Sequence, residues 1–265
     1  MNALADPSRR DNKHFLELAR AEILDAELSG SDVLISAEAA YRYICSEVGR
    51  QFLQNLYSFT SGCKVTPLLV FRRQDEFAKS LYAEWVKNWG EVRSFREFRE
   101  CKRSWFMYAD TAKQVHEAFG GMRILWFDDI KGPDIVTKFM YRALGVNFGT
   151  ESIHERQSLP GVAILCMLRL NRNDRGDEVQ SFARWFRDVA LGVVSDLPSE
   201  VIWGSYRERE EFQNQFFTQN KELAEIGDLH FSRFPRLCRG DVDYGYATDE
   251  ILADILREFE VSKTQ

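Results

Sequence analysis

Along this 265-residue chain, helical stripes alternate with short apolar runs up to about residue 146, and only helical stripes follow. Phe15, Leu16, Ala19, Ile23 and Ala26 recur at helical spacing and predict a helix over Asn12–Leu28 that Ser29-Gly30-Ser31 ends. Asp32–Ser36 reads as a short buried strand, and Ala39–Leu56 returns to helical period through Ile44, Val48, Phe52 and Leu56. Val65–Phe71 predicts a second strand, with Pro67 counting against its first residues. Asp75 is a suitable N-cap for a helix through Phe77, Leu81 and Trp85. Asn88–Lys102 reads as a polar connection and Ser104–Phe119 as a helix closed by Gly120-Gly121. Met122–Phe127 predicts a third strand. Pro133 then opens a helix that buries Val136, Phe139, Met140 and Ala143 and stops at Gly145.

Strand and helix alternating at these intervals imply parallel pairing through right-handed crossovers, an α/β class. Pro160–Leu170, Val179–Val194, Tyr206–Ile226 and Thr248–Glu260 all read as helices. The expectation is one domain over residues 1–265, with an α/β core in 1–150 and a helical cap in 151–265. A hydrophobic fraction of 45%, with 20 Phe and six Trp, is enough for a sizeable core. The net charge of −6 argues against a general nucleic-acid binder, which needs a basic surface. Cys45, Cys63, Cys101, Cys166 and Cys238 are scattered without metal or disulfide spacing and read as buried, reduced thiols of a cytoplasmic protein. The polar stretch Met1–Asn12 is unlike a signal peptide, and no apolar run reaches membrane-spanning length.

The most specific chemistry lies in residues 68–82. An apolar run ends in Arg72-Arg73, and Ser80 follows Arg72 by eight residues, on the first turns of the next helix. A guanidinium fork and a hydroxyl converging at the carboxyl edge of a parallel sheet suit a phosphate. Of the two arginines, the eight-residue register selects Arg72 over Arg73. Glu38, at the end of the first expected strand, is a candidate general base, although an acid at a helix start is the commoner use of such a position. Ser36 beside it could bind an acceptor or cap the helix. His14, His116, His154 and His230 are isolated, and no metal site is expected. Asp128-Asp129 and Asp241/Asp243 raise a metal-dependent glycosyltransferase as a rival class, with solvated turn residues as the simpler account. The pairs Phe182/Phe186 and Phe212/Phe216 are expected in the core.

The block Val70-Phe71-Arg72 followed by Ser80-Leu81-Tyr82 resembles the 3′-phosphate-binding segment of sulfotransferases. Ile124–Ile130 with the helix ending at Leu144-Gly145-Val146 is similar to the next strand and helix of that family, and Val33–Glu38 resembles a strand before the acceptor pocket in its bacterial members. Weaker echoes are Glu155–Leu159 and Asn220–Ala224. The resemblance implies a parallel-sheet core of the P-loop NTPase type. It also implies transfer of a sulfuryl group from 3′-phosphoadenosine 5′-phosphosulfate to a hydroxyl or amine of a carbohydrate or other small acceptor. Arg72 and Ser80 would then hold the donor's 3′-phosphate. The family's loop for the 5′-phosphosulfate, rich in Gly, Thr and Ser and carrying a lysine, does not precede Val33. Two expectations follow: a chain truncated before Met1, or a non-catalytic relative that binds a nucleotide or a partner protein.

Overall fold

A computed structural model describes residues 10–36, 38–147, 159–190, 201–226 and 249–264. In chain order the elements are α1 (Arg10–Leu28), α2 (Glu38–Ile44), α3 (Gly49–Phe59), β1 (Leu68–Phe71), α4 (Gln74–Trp89), α5 (Phe95–Cys101) and α6 (Tyr108–Phe119). They continue with β2 (Arg123–Trp126), α7 (Phe127–Ile130), α8 (Ile135–Leu144), α9 (Gly161–Arg172), α10 (Val179–Asp188), α11 (Tyr206–Asn214), α12 (Phe217–Ile226) and α13 (Asp249–Ser262). The expected sheet core of P-loop type is not formed. Helices carry most of the described residues, and β1 and β2 pair in parallel as a sheet of two four-residue strands. Asp32–Ser36, expected as the first of three strands, has no regular structure, and its apolar side chains are exposed. A local apolar run sets strand propensity, but a strand exists only where a neighbouring edge pairs with it.

The chain divides into two compact units that interleave along the sequence. The first comprises residues 1–71, 104–150 and 218–233, and the second residues 72–103, 151–217 and 234–265.

In the first unit α3 packs on α2 and α6 around Ile44, Phe52, Leu53 and Val115. The single helix expected over 39–56 is broken because residues 45–48 turn and Gly49 passes close to the end of α2. A Cβ at Gly49 would run into the Ile44 carbonyl oxygen. One face of the sheet is sealed by aromatic packing. Phe71 stacks on Tyr108 at 4.3 Å between ring centroids, and Ile124 and Trp126 are buried on the same face in register with Leu69 and Phe71. The opposite face carries Val70, still 41% exposed, and the exposed Arg123. Arg123 Nη2 donates to the Arg142 carbonyl at 2.8 Å and Nη1 to that of Ala143, placing a cation against the C-terminal end of α8. Gly120 and Gly145 end α6 and α8 in left-handed conformation, φ 74° and 72°.

The second unit is built around α9. Nine of its twelve residues are buried, because a helix apolar on all sides has to be enclosed. It packs against α4, α10 and α13. Phe182, Phe186, Phe212 and Phe216 lie in the core, as their spacing indicates. Residues 88–102 do not form the expected loop throughout: α5 occupies Phe95–Cys101 within it. Ser94 accepts from the Glu97 N–H and the Glu97 carboxylate accepts from the Ser94 N–H, a reciprocal cap that starts the helix. Phe95 and Phe98 then face the core, three residues apart. Of the four described cysteines, all free, only Cys166 is buried, and Cys101 is exposed.

One buried polar residue joins α9 to the end of α4. Asn171 Nδ2 donates to the Val86 carbonyl at 2.7 Å and to the Glu91 carbonyl at 3.1 Å. Asn171→Leu keeps the volume but leaves both acceptors without this donor. It should lower the free energy of unfolding by about 2–4 kcal/mol, measured by urea denaturation. A loss within experimental error would mean that these carbonyls have other partners.

Candidate functional site

The Arg72-Arg73 pair directly follows β1 and precedes α4, yet its guanidinium groups face carboxylates of the same chain. Arg73 closes a fork on Asp75, with Nε to Oδ1 at 2.7 Å and Nη2 to Oδ2 at 2.8 Å. Arg72 Nη2 donates to Glu76 Oε2 at 3.3 Å. Asp75 is not the N-cap of α4; that position is Arg73, and Asp75 lies inside the first turn with a side chain 0% exposed. Arg209 of α11 completes the cluster, its Nε at 2.6 Å from Asp75 Oδ2 and its Nη2 at 2.6 Å from Glu76 Oε1, and the Gln213 amide also donates to Asp75. Two cations, an amide and the N-terminal end of a helix compensate one fully buried carboxylate.

Ser80 is exposed on α4. Ser36 is exposed in the segment before α2, within the first unit. Glu38 is the first residue of α2, and its side chain lies outside the described residues, as do His154, His230, Cys238, Asp241 and Asp243. Asp128 accepts from Lys131 Nζ at 2.6 Å. Among the described residues, no three His, Cys, Asp or Glu side chains converge as metal ligands would. No helix among them is long and apolar enough to cross a membrane.

A different site, missed from sequence, lies between α5 and α11 in the second unit. Arg96, Arg99, Glu100 and Arg103 face Glu208, Glu211, Phe212, Gln215 and Phe216 across a cleft of about 200 Å³. Arg99 is its inner wall, 7% exposed. Its guanidinium carbon stands 4.8 Å from the Phe95 ring centroid, 4.6 Å from Trp203 and 5.0 Å from Phe212, and Nη2 donates to Glu208 Oε1. A desolvated cation on aromatic faces gains on the order of 2 kcal/mol. Burial lowers the Arg99 pKa from its usual value, and the Glu208 carboxylate acts against that shift. Ser205 starts α11 by accepting from the Glu208 N–H at 3.1 Å, which fixes Glu208 on the first turn, opposite Arg99.

Three arginines and three glutamates line the cleft, so its own formal charges balance, but they are not all paired with one another. Arg99 is matched by Glu208, Arg96 by Glu100 at 3.4 Å, and Glu211 is engaged by Arg207 at 2.8 Å. Arg103 instead donates from Nη1 to a neutral amide, Gln215 Oε1, at 3.1 Å. Among the described residues Arg103 is thus the lining arginine without a carboxylate partner, with Gln215 Nε2 as a second donor beside it. The residues lining the cleft carry three guanidinium groups, three carboxylates and one amide, and among them there is no hydroxyl, thiol or imidazole.

Burial pushes the Asp75 carboxyl pKa up, but hydrogen bonds and charge from Arg73 and Arg209 outweigh it, and the pKa falls below its usual 3.8. A carboxyl depressed by folding stabilises the native state above its unfolded pKa, and that contribution is lost as pH falls through the folded value. Asp75→Ala should remove part of the acid-induced loss of stability below pH 3.8. At neutral pH it should cost about 3–5 kcal/mol, since it leaves two guanidinium groups sharing Glu76 as their remaining carboxylate. Urea unfolding at stepped pH reads both effects, and an unchanged acid slope would remove Asp75 from this role. No family model, curated protein or solved structure matches the chain.

Proposed function

We propose that this chain is a binding protein without turnover, and that the cleft between α5 and α11 takes the phosphate or carboxylate group of a small ligand. The observation that carries this is that Arg103, among the described residues, faces a neutral amide instead of a carboxylate, in a cleft whose other arginines have carboxylate partners. A volume of about 200 Å³ accommodates such a group. A nucleotide fits this description, in line with the non-catalytic alternative drawn from the sequence.

Sulfuryl transfer from 3′-phosphoadenosine 5′-phosphosulfate to a carbohydrate hydroxyl keeps the resemblance at residues 70–82 as its support. Against it, Arg72 and Arg73 are turned toward Glu76 and Asp75, while Ser80 stands exposed on α4.

Calorimetric titration with adenosine 3′,5′-bisphosphate and with inorganic phosphate separates the two sites. Binding to the wild-type protein should weaken by about 10- to 100-fold in Arg103→Gln, the loss of one charge-assisted hydrogen bond, and should persist in Arg72→Ala. Loss in Arg72→Ala with Arg103→Gln unaffected would move the site to the start of α4 and favour the transferase. Absence of binding by either anion would end the proposal.

A further inference from the structure

Two unsatisfied features occur together in the first unit. The segment Val33-Leu34-Ile35 has the composition of a buried strand, yet these side chains are 48%, 48% and 56% exposed. The turn after α1 closes with Ser31 N–H on the Ala26 carbonyl at 2.8 Å; beyond it, among the described residues, Asp32–Ile35 make no backbone hydrogen bond. The second feature is the sheet itself. Parallel strands are ordinarily covered on both faces and flanked by further strands, whereas among the described residues β1 and β2 stand as a pair with Val70 41% exposed on the open face. Natural edge strands are commonly guarded by charge or proline. β2 carries Arg123, but Leu68–Phe71 has no charged residue, so the outer edge of β1 is the unguarded one.

From this we infer that two copies of the chain associate by strand addition: Val33–Ile35 of one copy pairs along the free edge of β1 in the other, and the exchange is reciprocal. The inference goes beyond the anion-binding proposal and does not depend on it. The occupant is a second copy because one chain supplies both halves of the contact, a strand sequence and a strand edge that are both unpaired among the described residues. A reciprocal exchange between two such chains satisfies both at once and closes at two, as an isologous contact does. Main-chain hydrogen bonds would provide the attraction and the alternating side chains the register. In such a pair Val33, Leu34 and Ile35 leave water together with Val70.

Sedimentation equilibrium of the full chain over a concentration series tests the inference. The wild type should show a reversible monomer–dimer equilibrium, and Leu34→Pro, which removes a backbone donor, should weaken dimerisation at least tenfold. Because residue 34 lies outside any helix or strand, the variant should keep the wild-type circular dichroism. Hydrogen exchange supplies a second readout: amides of 33–35 and 68–71 should gain protection together as concentration rises. A wild-type chain that stays monomeric, a dimer indifferent to Leu34→Pro, or protection independent of concentration would each overturn it. So would occupation of the β1 edge by a different protein.

Discussion

The second unit hangs on one buried carboxylate. Asp75 has no contact with water, so its charge survives only while Arg73 and Arg209 stay against it. Arg209 and Gln213, four residues apart on α11, both turn to α4 for this purpose. With that face of α11 committed, Glu208, Glu211, Phe212 and Gln215 fall on the neighbouring face, at the i, i+3, i+4 and i+7 positions of one stripe. There they meet the arginines of α5. The shape of the anion cleft is thus a consequence of burying an acid elsewhere on the same helix.

Much of the helical scaffold was legible in the sequence because its signals are local: apolar period, and glycines such as Gly120 and Gly145 that accept the left-handed conformation at a helix end. α5 escaped although its signature was present. Ser94 with Glu97 three residues on, followed by Phe95 and Phe98 on one face, identifies a capped amphipathic turn even amid Arg and Glu. The overestimate of the sheet has a different cause. Val33-Leu34-Ile35 has strand propensity, but pairing depends on a remote edge that no local pattern reveals. The same limit applied to the site. The acids that occupy Arg72 and Arg73 lie two to four residues away and could have been read from spacing alone. Arg209 comes to Asp75 across 134 residues and Glu208 to Arg99 across 109, distances at which a single sequence carries no pairing information.

The two units also solve the problem of their cores by different means. In the first, rings and aliphatic side chains fill the space: Tyr43 stacks on Phe52 at 5.3 Å, and Phe71 on Tyr108. Such packing is tolerant, since apolar groups of suitable volume can exchange without stranding a charge. The second unit embeds ions among its rings: Asp75, Glu91 and Arg99 are all buried and all paired with an oppositely charged partner. Arginine suits that role because its charge persists on burial and its flat face lies against aromatic rings, as Arg99 lies against Trp203.

Charge pairs of this kind add little net stability beyond what apolar residues would provide, but they penalise every arrangement that separates them. The second unit is therefore held to one geometry more by the cost of misplacing an ion than by attraction. That constraint decides what its cleft can recognise. A cation that already has a buried carboxylate, like Arg99, would have to give it up to bind a ligand, and the abandoned Glu208 would repel the same anion. A cation facing a neutral amide, like Arg103, loses no ionic partner when an anion arrives. In the proposed binding mode, affinity and selectivity for an anion would thus rest on the rim, while the inner arginine ties α5 to α11 through Glu208.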